Sequence, residues 1–251
     1  MILKTFPINS AGRDFVVGDM HGCFDEFQEI LKKISFDAEH DRMFSVGDLI
    51  DRGKKNMECL RLIEQPWFHA VRGNHENMMI NSVLKRREHS LWEGNGGAWS
   101  HTENIDGLEE LCKLAETLPL AMTVKTSFGK VGICHADPPG DWDSLSEGCS
   151  DYMREKLTWG RTKIYDVDAT PIENIDYTIH GHTPIRFPAT FGNSLFIDTG
   201  AVFRETNASN GNEDGGYLSI VELEDVPKIC TETQYSAVLE KLKKNGEDCH
   251  E

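Results

Sequence analysis

Three short apolar runs in the first third of the chain each end in a glycine-flanked polar cluster, and the clusters are almost evenly spaced. The runs and their clusters are residues 15–17 before GDMHG, residues 43–46 before GDLIDRG, and residues 68–71 before RGNHE. His21 and Asp48 lie 27 positions apart, and Asp48 and Asn74 lie 26 apart. Each interval is close to one βαβ unit of ~30 residues, so this part of the 251-residue chain is predicted to be built from such units.

The segments between the clusters have apolar residues at helical spacing. These positions are Phe24, Phe27, Ile30, Leu31 and Ile34 in the first segment, and Met57, Leu60 and Ile63 in the second. Apolar residues that recur every three or four positions indicate an amphipathic helix. Because parallel strands place their carboxyl ends at one edge of a sheet, the three polar clusters are expected to meet at that edge.

The second half of the chain has a different pattern. Residues 121–126 and 130–134 flank a short polar turn and predict a β-hairpin. Further strands are predicted at residues 177–179, 194–197 and 217–223. We expect an α+β fold in which a mixed β-sandwich is flanked by helices. One domain is predicted for residues 1–232, followed by a short helix and C-terminal tail at 233–251.

The polar clusters contain side chains that bind metal ions. The candidate ligands are Asp19, His21, Asp48, Asn74, His135 and His182. Imidazole suits transition metals, whereas oxygen donors suit magnesium and manganese. A carboxylate can also bridge two ions ~3.5–4 Å apart, an arrangement that clamps both oxygens of a displacement at phosphorus. Asp48, at the end of the middle strand, is the natural bridging residue.

Several residues next to the candidate ligands are suited to phosphate chemistry. Arg52 and Arg72 lie within four positions of Asp48 and Asn74, and a guanidinium matches phosphoryl oxygens in a fork geometry. His75 follows Asn74 directly and could protonate a leaving oxygen if a carboxylate such as Asp51 orients it.

Five motifs in order, GDMHG, GDLIDRG, RGNHE, a strand-end HAD and HGHT, resemble the metallophosphoesterase superfamily. More narrowly, the chain resembles the PPP family of serine/threonine phosphatases over roughly residues 12–203. The HADPP, NGG-x-W and GHTP segments, with IDTGAVF after the last, are most similar to the small bacterial and lambda-type phage members.

The resemblance implies a calcineurin-like fold with two divalent metal ions, manganese first, with iron or zinc as alternatives. One ion would be held by Asp19, His21 and Asp48, and the other by Asp48, Asn74, His135 and His182. Arg52, Arg72 and Arg161 would bind phosphate, and His75 paired with Asp51 would be the general acid. A metal-bridging hydroxide would attack phosphorus directly in phosphoserine, phosphothreonine and possible phosphotyrosine substrates within proteins.

Other functions fit the same scaffold less well. Diadenosine tetraphosphate hydrolases tend to have GNHD and to lack the second aspartate of GDxxDRG, whereas this chain has Glu76 and Asp51. A nuclease is disfavoured by the formal charge of −16, because nucleic-acid binding needs a cationic track. A catalytically inactive binding module would have lost at least one ligand, and none is lost.

Composition bounds the remaining classes. Seven scattered cysteines without a CxxC pair argue against a disulfide framework, and no apolar stretch approaches the ~20 residues of a membrane span. We therefore expect a cytoplasmic enzyme with no membrane partner, and take a monomer as the default. His180 is expected to point away from the site because it alternates with His182, while Trp92 and Trp99 could form a rim over it.

Overall fold

The computed structural model describes residues 1–204 and 216–233, in which ten strands form two sheets. The strands are β1 (Leu3–Phe6), β2 (Asp14–Val17), β3 (Arg42–Ser45), β4 (Phe68–Ala70), β5 (Ala121–Thr126), β6 (Gly129–Cys134), β7 (Tyr177–His180), β8 (Ala189–Phe191), β9 (Ser194–Phe196) and β10 (Ile220–Glu222). The described α-helices are α1 (Phe24–Lys33), α2 (Asn56–Arg61), α3 (Asn74–Val83), α4 (His89–Gly94), α5 (Ile105–Glu116), α6 (Ser144–Glu147), α7 (Asp151–Trp159), α8 (Thr162–Tyr165) and α9 (Val226–Glu232).

The three apolar runs that precede the polar clusters form the parallel strands of the smaller sheet. Its order is β10-β2-β3-β4, with β10 antiparallel to β2. The larger sheet has the order β1-β5-β6-β7-β9-β8 and mixes parallel and antiparallel pairs, including the predicted β5–β6 hairpin. The predicted βαβ units and the mixed second sheet are both confirmed.

Alternation along the parallel strands divides the core into two layers. Val16 and Phe44 point toward the larger sheet and pack with Val124 and Ile133. Their neighbours point to the opposite face, where helices α1, α2, α3 and α5 supply the packing partners. Successive side chains of a strand face opposite sides, so a strand covered on both faces is apolar at every position. The result is a β-sandwich flanked by helices.

Helix α1 illustrates how local sequence places these elements. Its apolar stripe includes the fully buried Phe27, acidic residues occupy its first turn, and Lys32 and Lys33 occupy its last turn. Both charge placements favour the helix dipole. The helix ends after Lys33, before the chain enters β3.

The strand predictions need correction in three places. Residues 217–223 contribute only the short strand β10, and β1 and β8 were not predicted. β1 reads LKTF with two exposed residues, and β8 has three residues, so neither offers an apolar run. Each lies at an edge of the larger sheet, where β1 pairs with the longer β5 and β8 pairs with β9. Most of the predicted C-terminal helix and tail, residues 234–251, lies outside the described residues.

Two further expectations from the sequence concern membrane-spanning segments and disulfides. Within the described ranges, no helix combines the length and apolarity needed to cross a membrane. The cysteines are free thiols at all six described positions, in agreement with the absence of a disulfide framework.

Candidate active site

The carboxyl ends of β2, β3, β6 and β7 bring the predicted polar residues together in one buried site. The backbone N–H of His182, which follows β7, donates to the Asp19 carboxylate that follows β2, at 3.0 and 3.2 Å. His135, which follows β6, places its Nε2 3.3 Å from Asp48 Oδ2, beyond β3. The six candidate metal ligands are all buried, so residues as distant as 19 and 182 share one site.

The Asp48 carboxylate lies at the centre of this site. Its Oδ2 is 3.8 Å from both His21 Nε2 and His75 Nε2, in addition to its approach to His135. Its Oδ1 accepts the backbone N–H of His75, in the first turn of α3, at 3.1 Å. Asp48 thereby belongs to two three-residue groups, one with His21 and His75 and one with His135 and His182.

The group formed by Asp48, His135 and His182 has the donor set of a cation site. His135 Nδ1 lies 2.8 Å from the Val46 carbonyl, which accepts its proton and leaves a lone pair on Nε2. That Nε2 lies 2.9 Å from Asn74 Oδ1, an acceptor, and 3.2 Å from His182 Nδ1. His182 Nε2 is buried with no hydrogen-bond partner among the described residues. Acceptors that converge in this way fit a divalent cation between them.

The pKa values of these imidazoles follow from burial and from Asp48. Burial lowers the pKa of His135, but Asp48, the Val46 carbonyl and Glu76 together more than offset this effect and leave the pKa raised. His182 is different, because burial and then His135 lower its pKa to about 2. For Asp48, burial raises the pKa, but His135, His75 and His21 lower it well below the usual range. The Asp48 carboxylate is therefore held in its ionised form by the surrounding imidazoles.

The other group surrounds Asp48 with His21 and His75. His21 Nδ1 lies 2.7 Å from the Ile50 carbonyl, which fixes the ring and directs Nε2 toward Asp48. Burial, and then His75, lower the pKa of His21 to about 3, so its imidazole is neutral and able to bind a metal. The guanidinium of Arg52 reaches the same atom, with Nη1 2.6 Å from His21 Nε2.

Asp19 and Asp198 form a buried acidic pair beside these groups. Burial raises the pKa of Asp19 well above its usual range, and Asp198 and Asp48 raise it further. Burial likewise raises the pKa of Asp198 to about 6. Asp198 was missed by the sequence analysis, although it follows the apolar β9 run as Asp19 follows β2. A cation beside Asp19 would relieve the repulsion among these carboxylates.

Close packing of the backbone explains several glycines of the motifs. A Cβ at Gly73 would lie 2.1 Å from Asp48 Oδ1, and one at Gly181 would lie 1.9 Å from Asp19 Oδ1. Glu76, three residues after Gly73, accepts the N–H groups of Gly73, Asp48 and Leu49 at 2.8–3.0 Å. This buried carboxylate ties the loop after β3 to the start of α3.

Half of the non-glycine residues with left-handed backbone among the described residues belong to the predicted site. They are His21 (φ 40°), Asp48 (φ 51°), Asp51 (φ 78°), Arg52 (φ 68°) and His182 (φ 71°). Each such residue costs of order 1–3 kcal/mol and persists only where its surroundings hold it. This concentration of strain at one edge of the sandwich is independent support for a functional site there.

His75 and Asp51 form a buried pair. His75 Nδ1 is 2.6 Å from Asp51 Oδ2, and both side chains are almost completely buried. The indole Nε1–H groups of Trp92 and Trp99 also donate to Asp51, at 2.9 and 2.7 Å. The two tryptophans are therefore not a rim over the site, as considered above, but hold the carboxylate that holds His75. The Asn95-Gly96-Gly97-Ala98-Trp99 segment gave a sequence signal for their position but not for this contact.

The three predicted phosphate-binding arginines lie in different environments. Arg52 is exposed, although its guanidinium contacts His21 and lies over the Phe203 ring, and Arg72 is half-buried with its Nε unpartnered among the described residues. Burial, and then the nearby Arg154, lower the pKa of Arg72. Arg161, at the start of α8, is half-buried and close enough to His182 to help lower the pKa of that histidine.

His180 lies away from the ligand set, as expected from its alternation with His182. Its Nδ1 is 3.2 Å from the Cys134 carbonyl and its Nε2 is 2.8 Å from Thr178 Oγ1. Burial lowers its pKa to about 3. The ring is a neutral core residue.

Carboxylates, an amide and imidazoles around one shared carboxylate, at the edge of a flanked β-sandwich, define a metal-dependent phosphoesterase. The family model described as calcineurin-like phosphoesterase matches residues 15–186, and the chain belongs to this family. It is therefore a hydrolase, and the family's dinuclear metal site is compatible with the two groups around Asp48.

Relatives and solved structures agree with this assignment. Serine/threonine-protein phosphatase 1 of Salmonella typhimurium is 36% identical over 192 residues, which is 75% of this chain and 87% of the relative. A symmetrical bis(5'-nucleosyl)-tetraphosphatase of Mannheimia succiniciproducens is 31% identical over 69% of this chain and 66% of its own length. The structure of a candidate diadenosine tetraphosphatase shares the fold, with a TM-score of 0.62, 21% identity and coverage of 88% and 93% of the two chains.

Proposed function

We propose that this enzyme is a phosphomonoesterase that hydrolyses phosphoserine and phosphothreonine in proteins and also accepts phosphotyrosine. The 36% identity to a bacterial serine/threonine-protein phosphatase supports this substrate class. The observation that carries the proposal is the buried His75–Asp51 pair, with its two indole donors.

The chemical argument depends on the leaving group. A serine or threonine alkoxide is a poor leaving group, so its departure is assisted by a proton donor. A nucleotide leaves a polyphosphate as a stable anion and needs that proton much less. His75 directs Nε2 toward Asp48 while Asp51 holds Nδ1, so His75 can carry a proton at Nε2 to the departing oxygen. Such a proton donor suits an enzyme that hydrolyses alkyl phosphates.

The proposed metal ligands share Asp48 and combine members of the two groups around it with Asp19 and Asn74. Asp19, His21 and Asp48 would hold one ion, and Asp48, Asn74, His135 and His182 the other. When bound, two divalent ions would provide an activated water for attack on phosphorus and would neutralise charge on the phosphoryl oxygens. Manganese is the first candidate, because the oxygen donors suit it, with iron or zinc as alternatives.

The arginines are proposed to bind the phosphoryl group. Arg52 extends to the edge of the metal ligands, since its guanidinium contacts the His21 ring. Arg161 lies on the opposite side, near His182. Arg72 keeps an Nε–H that no described residue accepts. Guanidinium groups in these positions would orient the phosphoryl group in the same way whatever alcohol it is attached to.

A competing proposal for His75 is that it binds a metal ion instead of donating a proton. Its ligand atom lies within 4.8 Å of those of His21 and Asp48, and metal-bound histidines also donate their other N–H to carboxylates. The His75→Asn variant discussed below distinguishes the two roles, because only loss of a ligand removes a metal.

The second candidate function is hydrolysis of a dinucleoside tetraphosphate. It is favoured by the tetraphosphatase relative with 31% identity. Against it stands the His75–Asp51 pair, which this reaction would not need.

An activity panel tests the two candidates. Phosphoserine, phosphothreonine and phosphotyrosine peptides and diadenosine tetraphosphate should be compared with and without added Mn²⁺. We expect Mn-dependent release of phosphate from the peptides. A dinucleoside tetraphosphate cleaved orders of magnitude faster than every peptide would transfer the assignment to the second candidate.

The domain organisation, oligomeric state, cellular location and partner of the enzyme are predictions from the sequence. We propose a single catalytic domain at residues 1–232, a monomer as the default and a cytoplasmic location. The partner is a phosphorylated protein rather than nucleic acid, in keeping with the formal charge of −16.

A further inference from the structure

A second cluster of metal-binding side chains lies outside the site described above. His89 and Glu93 are one turn apart on α4, and His101 lies on the 3-10 helix Gly97–Thr102 that follows. The ligand atoms of the three side chains all lie within 4.8 Å of one another. His89 Nε2 is 3.2 Å from Glu93 Oε1, and His101 Nε2 contacts the same oxygen.

The local sequence explains why three separate positions meet. Residues four apart on a helix share one face, which brings His89 next to Glu93. The chain then reverses direction at Gly96, whose φ of 109° favours glycine, and returns His101 to the same face. We call residues 89–102 the tryptophan segment, because they also include Trp92 and Trp99.

The ligand types and spacing fit zinc. Two imidazole nitrogens and one carboxylate oxygen leave one tetrahedral position open, and zinc ligands ~2.0–2.2 Å from the ion lie about 3.4 Å from each other. The His89 Nε2–Glu93 Oε1 distance of 3.2 Å is close to this value, whereas His101 Nε2 is in direct hydrogen-bond contact with the same oxygen and would move outward to admit an ion. Imidazole ligands disfavour magnesium and manganese relative to zinc, copper and nickel.

A further contact orients the first ligand. The Ser82 hydroxyl, which is buried at the end of α3, lies 2.6 Å from His89 Nδ1. A metal-binding histidine usually donates its other ring N–H to such an acceptor, which directs the ligating nitrogen. His89 and His101 also line a cavity of about 490 Å³ whose wall contains Trp92, so an ion has access to the cluster.

We propose that His89, Glu93 and His101 form a third metal site of the zinc type, which fixes the tryptophan segment against the active site. The segment touches the active site at three points. Trp92 and Trp99 donate to Asp51, and the Gly96 carbonyl accepts the backbone N–H of Arg52 at 3.4 Å. An ion that joins α4 to the 3-10 helix restrains both indoles at once.

Zinc binding to the full-length protein tests the site without any activity measurement. After equilibrium dialysis against Zn²⁺ and metal analysis, the wild-type protein should hold one zinc equivalent more than His101→Ala or the isosteric Glu93→Gln. His40→Ala is the matched control, because His40 pairs with Asp37 at 2.8 Å on the surface but belongs to none of the described three-ligand groups. Equal zinc content in the wild type and both variants, or the same loss in His40→Ala, would overturn the proposal.

Two further measurements test how the site works. Ser82→Ala should weaken zinc binding about 10–100-fold, because it removes only the group that orients His89. Zinc should slow amide hydrogen exchange in residues 89–102 of the wild type and leave it unchanged in His101→Ala. An extra zinc bound with no slower exchange would overturn the link to the active site.

Discussion

The two groups of side chains around Asp48 differ in what faces their histidines. Around His135, acceptors converge on one another: Nε2 faces Asn74 Oδ1 and Asp48 Oδ2. Around His75, Nδ1 contacts the carboxylate of Asp51. That carboxylate also accepts two indole N–H groups. The first arrangement is suited to a cation bound among several acceptors, whereas the second is suited to holding and moving a proton. In the proposed mechanism, this shared carboxylate connects metal binding to proton transfer.

The largest effect is expected where the two groups meet. Asp48→Asn removes the negative charge that both groups share, so it should weaken both metal sites and lower kcat/KM by at least about 10⁴. Metal analysis alongside steady-state kinetics checks this result. A chelator should abolish activity, and added Mn²⁺ should restore it. Full activity in a demonstrably metal-free preparation would contradict the mechanism.

The comparison between the groups is tested most directly by a matched pair of variants. His75→Asn should leave both metals bound, change KM little and reduce kcat about 10²–10⁴-fold, because only the proton donor is lost. His135→Asn, in the other group, should instead reduce the metal content. Asp51→Asn should resemble His75→Asn more mildly.

The identity of the leaving group provides the control for His75. An aryl phosphate, whose leaving group is already stable as an anion, should be affected less by His75→Asn than a phosphoserine peptide. A variant that lost metal, or that slowed both substrates equally, would show that His75 is a ligand or a phosphate-binding residue and that the acid lies elsewhere.

A smaller effect is expected for the indole donors. Trp99→Phe keeps an aromatic ring but removes one N–H from Asp51, and a hydrogen bond to a charged group contributes about 1.5–3 kcal/mol. We expect kcat for phosphoserine peptides to fall about 10–100-fold with metal content unchanged. Trp67→Phe is the matched control, since Trp67 packs against Phe36 away from the site. Equal losses in the two variants would show a general packing effect.

The smallest effect concerns the stability of the metal-free protein. Burial raises the folded-state pKa of Asp198 to about 6. The folded state then binds more protons than the unfolded state between about pH 4 and pH 6, so this group lowers the free energy of unfolding as pH rises through that range. Asp198→Asn should stabilise the chelated protein at pH 7 by about 1–3 kcal/mol and much less at pH 4. Denaturant unfolding at both pH values measures this. No gain at pH 7 would mean that burial of the ionised Asp198 carboxylate does not destabilise the folded protein.

The fold was predictable where local pattern and long-range pairing agree. The runs before Asp19, Asp48 and Asn74 are apolar at most positions, with Ser45 and His69 as exceptions, because β2, β3 and β4 are covered on both faces. Strands β1 and β8 could not be predicted in this way. Their residues form strands only because they pair with β5 and β9, which are distant or separate segments of the chain.

Some residues of the candidate site could likewise be predicted from the sequence, and others could not. Residue types and order, together with the resemblance to the family, selected the six candidate ligands and the His75–Asp51 pair, because each follows a strand whose end the sequence marks. Asp198, Trp92 and Trp99 were not selected for the contacts they make. An aspartate after a strand or an indole in a loop acquires its role only from the atom it touches.

The amino-acid sequence by itself determined the strand ends, the turns that need glycine, and the ligand chemistry at each turn, since these depend on residues near one another in the chain. Only the tertiary structure decided which nitrogen of each histidine is free, which carboxylates repel, and which donors hold Asp51. Those properties arise from burial and from contacts between residues as distant as Asp51 and Trp99, or Asp19 and His182. Electrostatic and hydrogen-bond energies change steeply over a few ångströms, and no local pattern in the chain fixes distances of that size.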